Sequence, residues 1–287
     1  MRKAAWVALL AFGNLRAAEV LKLRPTGVLY ADAAGVALSK PQGVGCGVGA
    51  FVVADSGNGR VIEFEISGAL VRTTTAFAVK EIAYPIRADR GKDGTLFVLD
   101  GKSRRIGKIK ADGSFGGWIE LEGAVIGFAL APSGNVYALD LAGHRVVVLD
   151  PAGAGARTIA LPADARFPVD VALGSHETAY VVDAVTKRVY GARAEDKEFA
   201  PLGKSLVEDL DFPGALATDG GGRLFVADQD GGGIVIVGAD GSFRGRQSAF
   251  GWKDGYLRWP SGLCVSGKTV VVADRENQRV EVFTVGE

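Results

Sequence analysis

The sequence predicts an all-β fold, a six-bladed β-propeller whose blades are four-stranded antiparallel sheets. A short apolar run that ends in aspartate occurs six times, at intervals of 45, 40, 43, 45 and 46 residues. An arginine stands five residues after five of these aspartates, and a proline stands fourteen or fifteen residues before five of them. Because each interval has room for four short strands, the repeats predict a ring of blades around a central axis. The aspartates are Asp55, Asp100, Asp140, Asp183, Asp228 and Asp274.

The first repeat shows how one unit is built. Residues 51–54 are apolar and lead to Asp55, residues 56–59 read Ser-Gly-Asn-Gly, and residues 60–64 mix polar and apolar side chains. This pattern is typical of a strand, a tight turn and a second strand. Asp-Gly pairs between the later apolar runs indicate the same kind of hairpin, because such turns need residues that tolerate positive φ.

The recurring aspartate and arginine are predicted to build the blades rather than to bind a ligand. A carboxylate at the end of a strand accepts hydrogen bonds from the backbone N–H groups of the turn that follows. A feature that recurs from blade to blade indicates a structural role in each blade. The fifth unit departs from the pattern, because Gly231-Gly232-Gly233 occupies the turn and no arginine appears.

Residues 53–61, Val-Ala-Asp-Ser-Gly-Asn-Gly-Arg-Val, with Pro41 before them, resemble the NHL repeat. The resemblance covers the chain after residue 18 and implies that residues 19–287 form a single NHL-type propeller. It leaves the activity open, because many functions occur on one fold. Some NHL propellers bind RNA, and several six-bladed relatives are lyases, lactonases or hydrolases that hold calcium or zinc in the channel.

Residues 1–18 are predicted to be a secretory signal peptide. Arg2-Lys3 forms a basic start, residues 4–12 are apolar, and Ala17-Ala18 fits a cleavage site. The apolar run is too short to cross a bilayer, so we expect no membrane span. The alternative is a disordered or strand-forming N-terminus of a cytoplasmic protein. With a signal peptide, the protein is exported to the periplasm or the extracellular space, where we expect a monomer.

The N-terminal strand is predicted to close the ring. Units one to five end in a fourth strand, for example residues 242–250, whereas the sixth unit stops after its third strand at residues 282–285. Residues 19–23 alternate as a strand does, and we expect this stretch to supply the missing strand. Closure of this kind removes free sheet edges.

The charge balance argues against nucleic acid as a partner. The chain has 33 Lys and Arg residues and 33 Asp and Glu residues. Loss of residues 1–18 removes three basic residues and no acidic ones, which leaves 30 basic against 33 acidic residues and a net charge of −3. Proteins that bind a phosphate backbone cluster their basic residues, and here Arg104-Arg105 is the densest pair.

Cys46 and Cys264 follow the blade-opening proline by five and four residues, in the first and last units. These units are neighbours across the seam of the ring, so a disulfide would staple the closure, and export would permit it. The positions differ by one residue in register, which would point the two side chains to opposite faces of their strands. Two buried free thiols are the alternative.

The innermost strand of each blade is predicted to start at the proline and to line the axial channel. Most side chains at the channel-facing positions are small, as crowding near the axis requires. Arg87, Asp89 and Asp170 are the exceptions. They are candidates for binding a polar ligand or a metal at the channel mouth. The alternative is a buried set of ion pairs that compensates itself.

Aromatic residues stand before four of the prolines, and two more lie in the long loop that precedes the last one. They are candidates for a surface that binds a protein or a glycan on one face of the ring. The alternative for the four beside proline is that they wedge between blades, whereas we expect Trp252 and Tyr256 to be exposed. The full set is Tyr84, Phe167, Phe212, Trp252, Tyr256 and Trp259.

No catalytic residue, metal ligand or cofactor is predicted. A zinc site of the kind found in related lyases needs several histidines, and the chain has only His144 and His176, both in turns. A calcium site needs about six to eight oxygen ligands. Asp89 and Asp170 are too few for such a site, and the nearby Arg87 would repel the cation.

The sequence therefore favours a non-catalytic, exported propeller that acts as a binding or scaffold module for a protein or a cell-envelope component. The alternative is a metal-dependent hydrolase or lyase with its site at the channel mouth. A third hypothesis is an RNA-binding NHL propeller, which requires that residues 1–18 are not a signal peptide.

Overall fold

The computed structural model describes residues 21–67, 70–121, 123–155 and 157–286 of the chain. It contains six antiparallel sheets of four strands each, and the predicted six-bladed propeller is confirmed. In blades 1 to 5 the chain runs from the innermost strand outward, so consecutive strands are neighbours in each sheet. The predicted signal peptide, residues 1–18, lies outside the described residues.

The strands are short, and all but the first follow the order of the blades. The first, β1, is Lys22–Leu29 and belongs to blade 6. Blade 1 consists of β2 (Pro41–Gly47), β3 (Ala50–Asp55), β4 (Arg60–Ser67) and β5 (Leu70–Phe77). Blade 2 consists of β6 (Pro85–Arg90), β7 (Leu96–Asp100), β8 (Arg105–Ile109) and β9 (Phe115–Trp118). Blade 3 consists of β10 (Val125–Leu130), β11 (Val136–Asp140), β12 (Arg145–Leu149) and β13 (Arg157–Ala160).

The second half of the chain continues in the same way. Blade 4 consists of β14 (Pro168–Leu173), β15 (Ala179–Asp183), β16 (Arg188–Ala192) and β17 (Ala200–Leu202). Blade 5 consists of β18 (Pro213–Thr218), β19 (Leu224–Asp228), β20 (Gly233–Val237) and β21 (Phe243–Gln247). Blade 6 adds β22 (Pro260–Ser266), β23 (Thr269–Asp274) and β24 (Arg279–Gly286) to β1. The described residues contain no helix that is long and apolar enough to cross a membrane.

Strand β1 closes the ring, as the incomplete sixth repeat predicts. It pairs antiparallel with β24, from Lys22 opposite Gly286 to Leu29 opposite Val280. The strand therefore extends well beyond the predicted stretch 19–23, because pairing continues along the whole of β24. A bulge places Thr26 between Pro25 and Gly27, outside the regular register with β24.

The hydrophobic core lies between the blades. The described residues form six clusters of buried apolar side chains, and each cluster joins two neighbouring blades. Between blades 6 and 1, for example, Phe51 and Phe64 stack with ring centroids 5.0 Å apart and belong to the same cluster as Val271. Both faces of a blade are covered in this way. That is why its second strand reads as a continuous apolar run that ends in aspartate rather than as an alternating pattern.

The recurring aspartates fasten each turn to the segment that enters the blade, which confirms their predicted structural role. Asp55 accepts hydrogen bonds from the backbone N–H of Ser39 and from Nε of Arg60, both at 2.7 Å. The corresponding aspartates of the other blades also accept from turn or approach backbone, for example Asp183 from Thr186 at 2.7 Å. Because these carboxylates are buried, the hydrogen bonds replace the water that they lose on folding.

In blade 5, which lacks the recurring arginine, an arginine from another strand pairs with the aspartate. Arg246 of β21 donates from Nη1 to Asp228 Oδ2 at 2.7 Å. Gly233 stands where the other units have arginine, and a Cβ at that position would lie 2.9 Å from Arg246 Nε. The glycine therefore leaves room for the guanidinium that compensates the buried carboxylate.

Candidate functional site

The six inner strands surround an axial channel with a cavity of about 130 Å³. A bulge after the first residue of each inner strand sets which side chains face the axis. At these positions neighbouring blades nearly touch. A Cβ on Gly43 would lie 2.4 Å from the carbonyl oxygen of Ile86, and one on Gly262 would lie 2.4 Å from that of Gln42. Crowding thus explains the small residues seen in the sequence.

Arg87 and Asp170 form an ion pair across the channel. Arg87 Nη1 of blade 2 donates to both carboxylate oxygens of Asp170 in blade 4, each at 2.7 Å. Asp170 also accepts from the backbone N–H groups of Val171 and Leu216, both at 2.9 Å. With four hydrogen bonds, the buried carboxylate of Asp170 is satisfied within the protein. Arg87 and Asp170 are therefore arranged as a self-compensating pair that ties blades 2, 4 and 5 together.

Asp89 does not join this pair. Its side chain lies where the channel cavity meets a larger cavity of about 540 Å³ on the face formed by the ends of the inner strands. Burial raises the pKa of Asp89 to about 6, against the opposing effects of the backbone N–H groups of Arg90 and Leu130 and of the charge of Arg87. A carboxyl with a raised pKa that faces a cavity is a candidate acid or base.

No metal-binding cluster is evident in the described part of the chain, where no three His, Cys, Asp or Glu side chains are grouped to hold an ion. His144 lies in the turn between β11 and β12, with Nε2 3.1 Å from the carbonyl oxygen of Pro162. His176 lies in the turn between β14 and β15. Neither histidine lies on an inner strand, as the sequence predicts.

Cys46 and Cys264 form a disulfide between blades 1 and 6, with Cα atoms 5.5 Å apart. Their one-residue offset in register does not keep the two sulfur atoms apart. An inner-strand side chain that points toward the axis also points at the neighbouring inner strand. At the position in blade 1 that corresponds to Cys264, a Cβ on Gly45 would lie 2.3 Å from the carbonyl oxygen of Ala88 in blade 2. The disulfide therefore bridges the seam beside the channel.

The six candidate aromatic residues divide into two groups. Tyr84 and Phe212 are half-buried, and the Tyr84 hydroxyl accepts a hydrogen bond from Gln42 Nε2 at 2.6 Å. The other four are more exposed, with exposed fractions of 72% for Trp252, 45% for Tyr256, 44% for Phe167 and 43% for Trp259. Phe167 belongs to blade 4, whereas the remaining three lie close together in sequence before blade 6.

The loop that carries these three residues is longer than the sequence pattern indicates. The pattern predicts a fourth strand over residues 242–250, but β21 ends at Gln247. Ser248 adopts a φ of 63°, which takes the chain out of the extended conformation. Phe250 thus becomes part of the loop and is 59% exposed, a residue that the sequence analysis missed. We call Phe250, Trp252, Tyr256 and Trp259 the aromatic surface.

Arg279 of β24 holds this loop in place. Its side chain is buried, and Nη2 donates to the carbonyl oxygens of Lys253 at 2.9 Å and Tyr256 at 2.8 Å. Its Nη1 donates to Asp254 Oδ1 at 3.2 Å and to the Tyr30 hydroxyl at 3.1 Å. One buried guanidinium thus fixes the loop to blade 6 and to the segment that follows the closing strand.

Two buried carboxyl groups share the charge of Arg279. Its Nη2 lies 2.8 Å from Glu281 Oε1, and its Nε lies 2.8 Å from Asp274 Oδ2. Burial raises the pKa of Glu281 to about 7, although the charge of Arg279 and the N–H of Gly255 favour the ionised form. Glu281 Oε2 is buried and has no hydrogen-bond partner among the described residues. Glu281 therefore holds a proton at a pH where an exposed glutamate has lost it.

The aromatic surface contains two clefts that share Phe250. The first has a volume of about 250 Å³ and is lined by Phe250, Trp259, Gln229, Asp230, Arg258 and Glu276. The second has a volume of about 260 Å³ and is lined by Phe250, Gly251, Trp252, Lys253 and Tyr256. Each cleft thus combines exposed aromatic side chains with polar or charged groups.

Comparison with protein-family models matches the NHL repeat to residues 257–283. These residues comprise the end of the aromatic loop, β22, β23 and most of β24, which are three of the four strands of blade 6. The other five blades repeat the same strand order, with the aspartate at the end of the second strand.

This chain is a six-bladed propeller with an NHL repeat in its last blade.

Solved structures that resemble this propeller include enzymes. A streptogramin B lyase aligns with a TM-score of 0.64 at 14% identity, over 93% of this chain and 98% of the lyase. A virginiamycin B lyase from Staphylococcus aureus aligns with a TM-score of 0.64 at 13% identity, over 92% and 99%. A gluconolactonase from Xanthomonas campestris aligns with a TM-score of 0.67 at 15% identity, over 95% and 99%. At such identities the similarity establishes a shared fold alone. A search of curated proteins gave no match.

Proposed function

We propose that this NHL-repeat propeller is a non-catalytic, exported binding module that recognises a protein or a cell-envelope component through the aromatic surface. The observation that carries the proposal is the clustering of four exposed aromatic side chains on one anchored loop. Contiguous exposed aromatic groups are typical of interaction surfaces, and aromatic side chains contribute strongly to binding energy there.

The anchoring of the loop supports this role. Trp259 Nε1 donates to Gln229 Oε1 at 2.8 Å, and the guanidinium of Arg275 lies 5.5 Å from the centroid of the Trp259 ring. The loop also carries its own hydrogen bonds, such as Leu257 N to the carbonyl oxygen of Ala249 at 3.0 Å. A surface that is ordered before its partner arrives loses little conformational entropy on binding.

Two features support export. Residues 1–18 have the basic start and apolar run of a secretory signal. The Cys46–Cys264 disulfide is of a kind that persists in oxidising compartments and is rare in the cytosol. A cell fractionation that finds the full-length chain in the cytoplasm would contradict this part of the proposal.

The binding role is tested by retention of partners from a cell-envelope extract. The immobilised protein should retain a specific component, and a variant with both Trp252→Ala and Trp259→Ala should lose it. Phe167→Ala is the matched control, because this phenylalanine is similarly exposed but lies in blade 4. Equal retention by the wild type and the tryptophan double variant would exclude the aromatic surface as the binding site.

A second candidate function is a hydrolase or lyase that acts at the channel. The specific observation in its favour is Asp89, whose pKa is raised to about 6 and which faces the 540 Å³ cavity. The lyases and the gluconolactonase with a similar fold fit this alternative. The Arg87–Asp170 pair argues against a cation at that level of the channel, because both partners are already compensated.

The enzyme candidate is tested by assays for gluconolactone hydrolysis and streptogramin B cleavage, with metal analysis of protein purified without chelators. If Asp89 acts as the acid or base, Asp89→Asn should abolish the activity. Asp93→Asn is the control, since Asp93 lines the same cavity but is exposed. If neither substrate is consumed and no metal is present in stoichiometric amount, this candidate loses its support.

A further inference from the structure

The two clefts of the aromatic surface combine flat apolar groups with polar groups that can hydrogen-bond. In the first cleft, the Phe250 and Trp259 side chains lie beside Gln229, Asp230 and Glu276. A carboxylate accepts hydrogen bonds, and a side-chain amide both donates and accepts them. The face of an aromatic ring carries partial negative charge, which attracts weakly positive C–H groups. A ligand that suits this cleft has a flat C–H face and a polar rim.

The charges around the clefts are balanced rather than of one sign. Asp230 and Glu276 lie in the first cleft with Arg258, and Arg275 stacks on the Trp259 ring. The second cleft contains Lys253. A balanced surface gives no electrostatic preference for a polyanion such as nucleic acid or an acidic polysaccharide. The clefts therefore suit an uncharged ligand.

The clefts are also similar to each other and adjacent. Their volumes are about 250 Å³ and 260 Å³, and Phe250 belongs to both. Two similar clefts side by side fit a ligand made of repeating units of one size. A peptide would instead present side chains of different sizes to pockets of different depth.

From these observations, and on the basis of the proposed binding function, we infer that the aromatic surface binds a neutral oligosaccharide with one sugar ring in each cleft. A pyranose ring has C–H faces that stack on aromatic rings and hydroxyl groups that donate and accept hydrogen bonds at its edge. Phe250 contacts both rings, Trp259 contacts one and Trp252 the other. The anchored loop holds these stacking groups in place before the ligand binds.

Calorimetric titration of the wild-type protein with neutral oligosaccharides tests this inference. The probes are glucose and N-acetylglucosamine and their linear oligomers of two to six units, in α- and β-linked forms. At least one series should bind, and affinity should rise at least tenfold from one unit to two because the second unit fills the second cleft. Affinity that does not rise from one unit to two, or the absence of binding by every series, would overturn the inference.

Substitutions locate the binding. Trp252→Ala and Trp259→Ala should each weaken binding of the disaccharide at least tenfold, whereas Trp252→Phe and Trp259→Phe, which keep an aromatic ring, should retain most of the affinity. Phe167→Ala should bind as the wild type does. Unchanged affinity in the two alanine variants would place the sugar elsewhere and contradict the inference.

Failure of this inference can be told apart from failure of the proposed function. If a cell-envelope component is retained through Trp252 and Trp259 but no oligosaccharide binds or competes, the partner is not a neutral sugar and the sugar inference is wrong, while the binding function stands. If retention does not depend on the two tryptophans, both are wrong.

Discussion

The aromatic loop depends on a single buried guanidinium. Arg279 contacts four groups, three in the loop and one in the segment that follows β1, and it also lies beside Asp274 and Glu281. Burial raises the pKa of both carboxyl groups, and for Glu281 this effect outweighs the opposing charge of Arg279. The protonation of Glu281 therefore links pH to the stability of the blade that carries the loop.

Glu281→Gln should change how stability depends on pH. The pKa of Glu281 is raised from its usual 4.5 to about 7, so between these values the folded protein binds a proton that the unfolded chain has released. The contribution of Glu281 to the free energy of unfolding is therefore present at pH 4.5 and falls as pH rises through 7, by up to about 1.4 kcal/mol per pH unit. The glutamine variant lacks this contribution at every pH.

Urea unfolding of both proteins at pH 5, 6, 7 and 8 measures the effect. The difference in free energy of unfolding, wild type minus variant, should fall between pH 5 and pH 7 and level off towards pH 8. The effect of Asp89 titration is present in both proteins and cancels in the difference. A difference that stays constant from pH 5 to pH 8 would show that Glu281 is ionised throughout.

Arg246→Met should destabilise blade 5, because it leaves the buried carboxylate of Asp228 without its cation. We expect a loss of roughly 1–3 kcal/mol in the free energy of unfolding. Arg244→Met is the matched control on the same strand, since Arg244 pairs with the exposed Asp240 and such surface pairs contribute little. Urea unfolding should separate the two variants, and equal stability would refute the replacement of the missing arginine by Arg246.

At the scale of strands and loops, the regular elements are predictable and the loop of the aromatic surface is not. The strands that end at the six aspartates carry apolar side chains on both faces, because both faces of each blade are covered by neighbouring blades. This pattern is visible in the sequence as continuous apolar runs. The end of β21 depends on the left-handed backbone of Ser248, a residue with no strong preference for that conformation. Phe250 therefore reads as a strand residue although it lies in a loop.

For the channel residues, too, part of the arrangement is predictable from the sequence and part is not. The sequence identifies Arg87, Asp89 and Asp170 as unusual because their neighbours around the axis are small. It does not show that Arg87 pairs with Asp170, two blades away, or that Asp89 stays apart, because those contacts depend on the angle between blades. The same holds for Cys46 and Cys264, whose proximity depends on how closely the inner strands of blades 1 and 6 approach.

Removal of the closing strand should destabilise the propeller strongly. A chain that begins at Ala31 lacks β1, which leaves the edge of β24 unpaired and uncovers the cluster against which Leu23 packs. We expect a loss of roughly 3–5 kcal/mol in the free energy of unfolding relative to a chain that begins at Glu19. Urea unfolding of both chains provides the measurement, and identical free energies of unfolding would disprove closure by β1.

At the scale of the whole molecule, the disulfide joins the first and last blades across a sequence separation of 218 residues. A bond that closes so long a loop restricts the unfolded chain considerably. The double variant Cys46→Ala, Cys264→Ala should therefore unfold at a lower urea concentration, with a loss of roughly 3–5 kcal/mol. Wild-type protein in reductant should behave like the variant, and an unchanged midpoint in both would contradict the predicted stabilisation by the disulfide.

The propeller provides a rigid ring on which one loop presents an aromatic surface. The four strongly exposed aromatic side chains of that surface lie within ten residues of one another in the sequence, on a loop tied to the closing blade by Arg279. The channel, by contrast, is narrow and crossed by a satisfied ion pair. At this scale the proposed function places recognition at the surface, whereas the second candidate places chemistry at the axis.

The most direct test of surface recognition is the accessibility of Trp252 and Trp259. In a protein with Trp6→Phe and Trp118→Phe, these are the only tryptophans. Acrylamide should quench their fluorescence strongly in the free protein, because Trp252 is 72% and Trp259 43% exposed. On addition of a cell-envelope fraction that the protein retains, we predict a clear fall in the quenching constant. An unchanged quenching constant despite retention would show that the partner binds elsewhere and would contradict the proposed function.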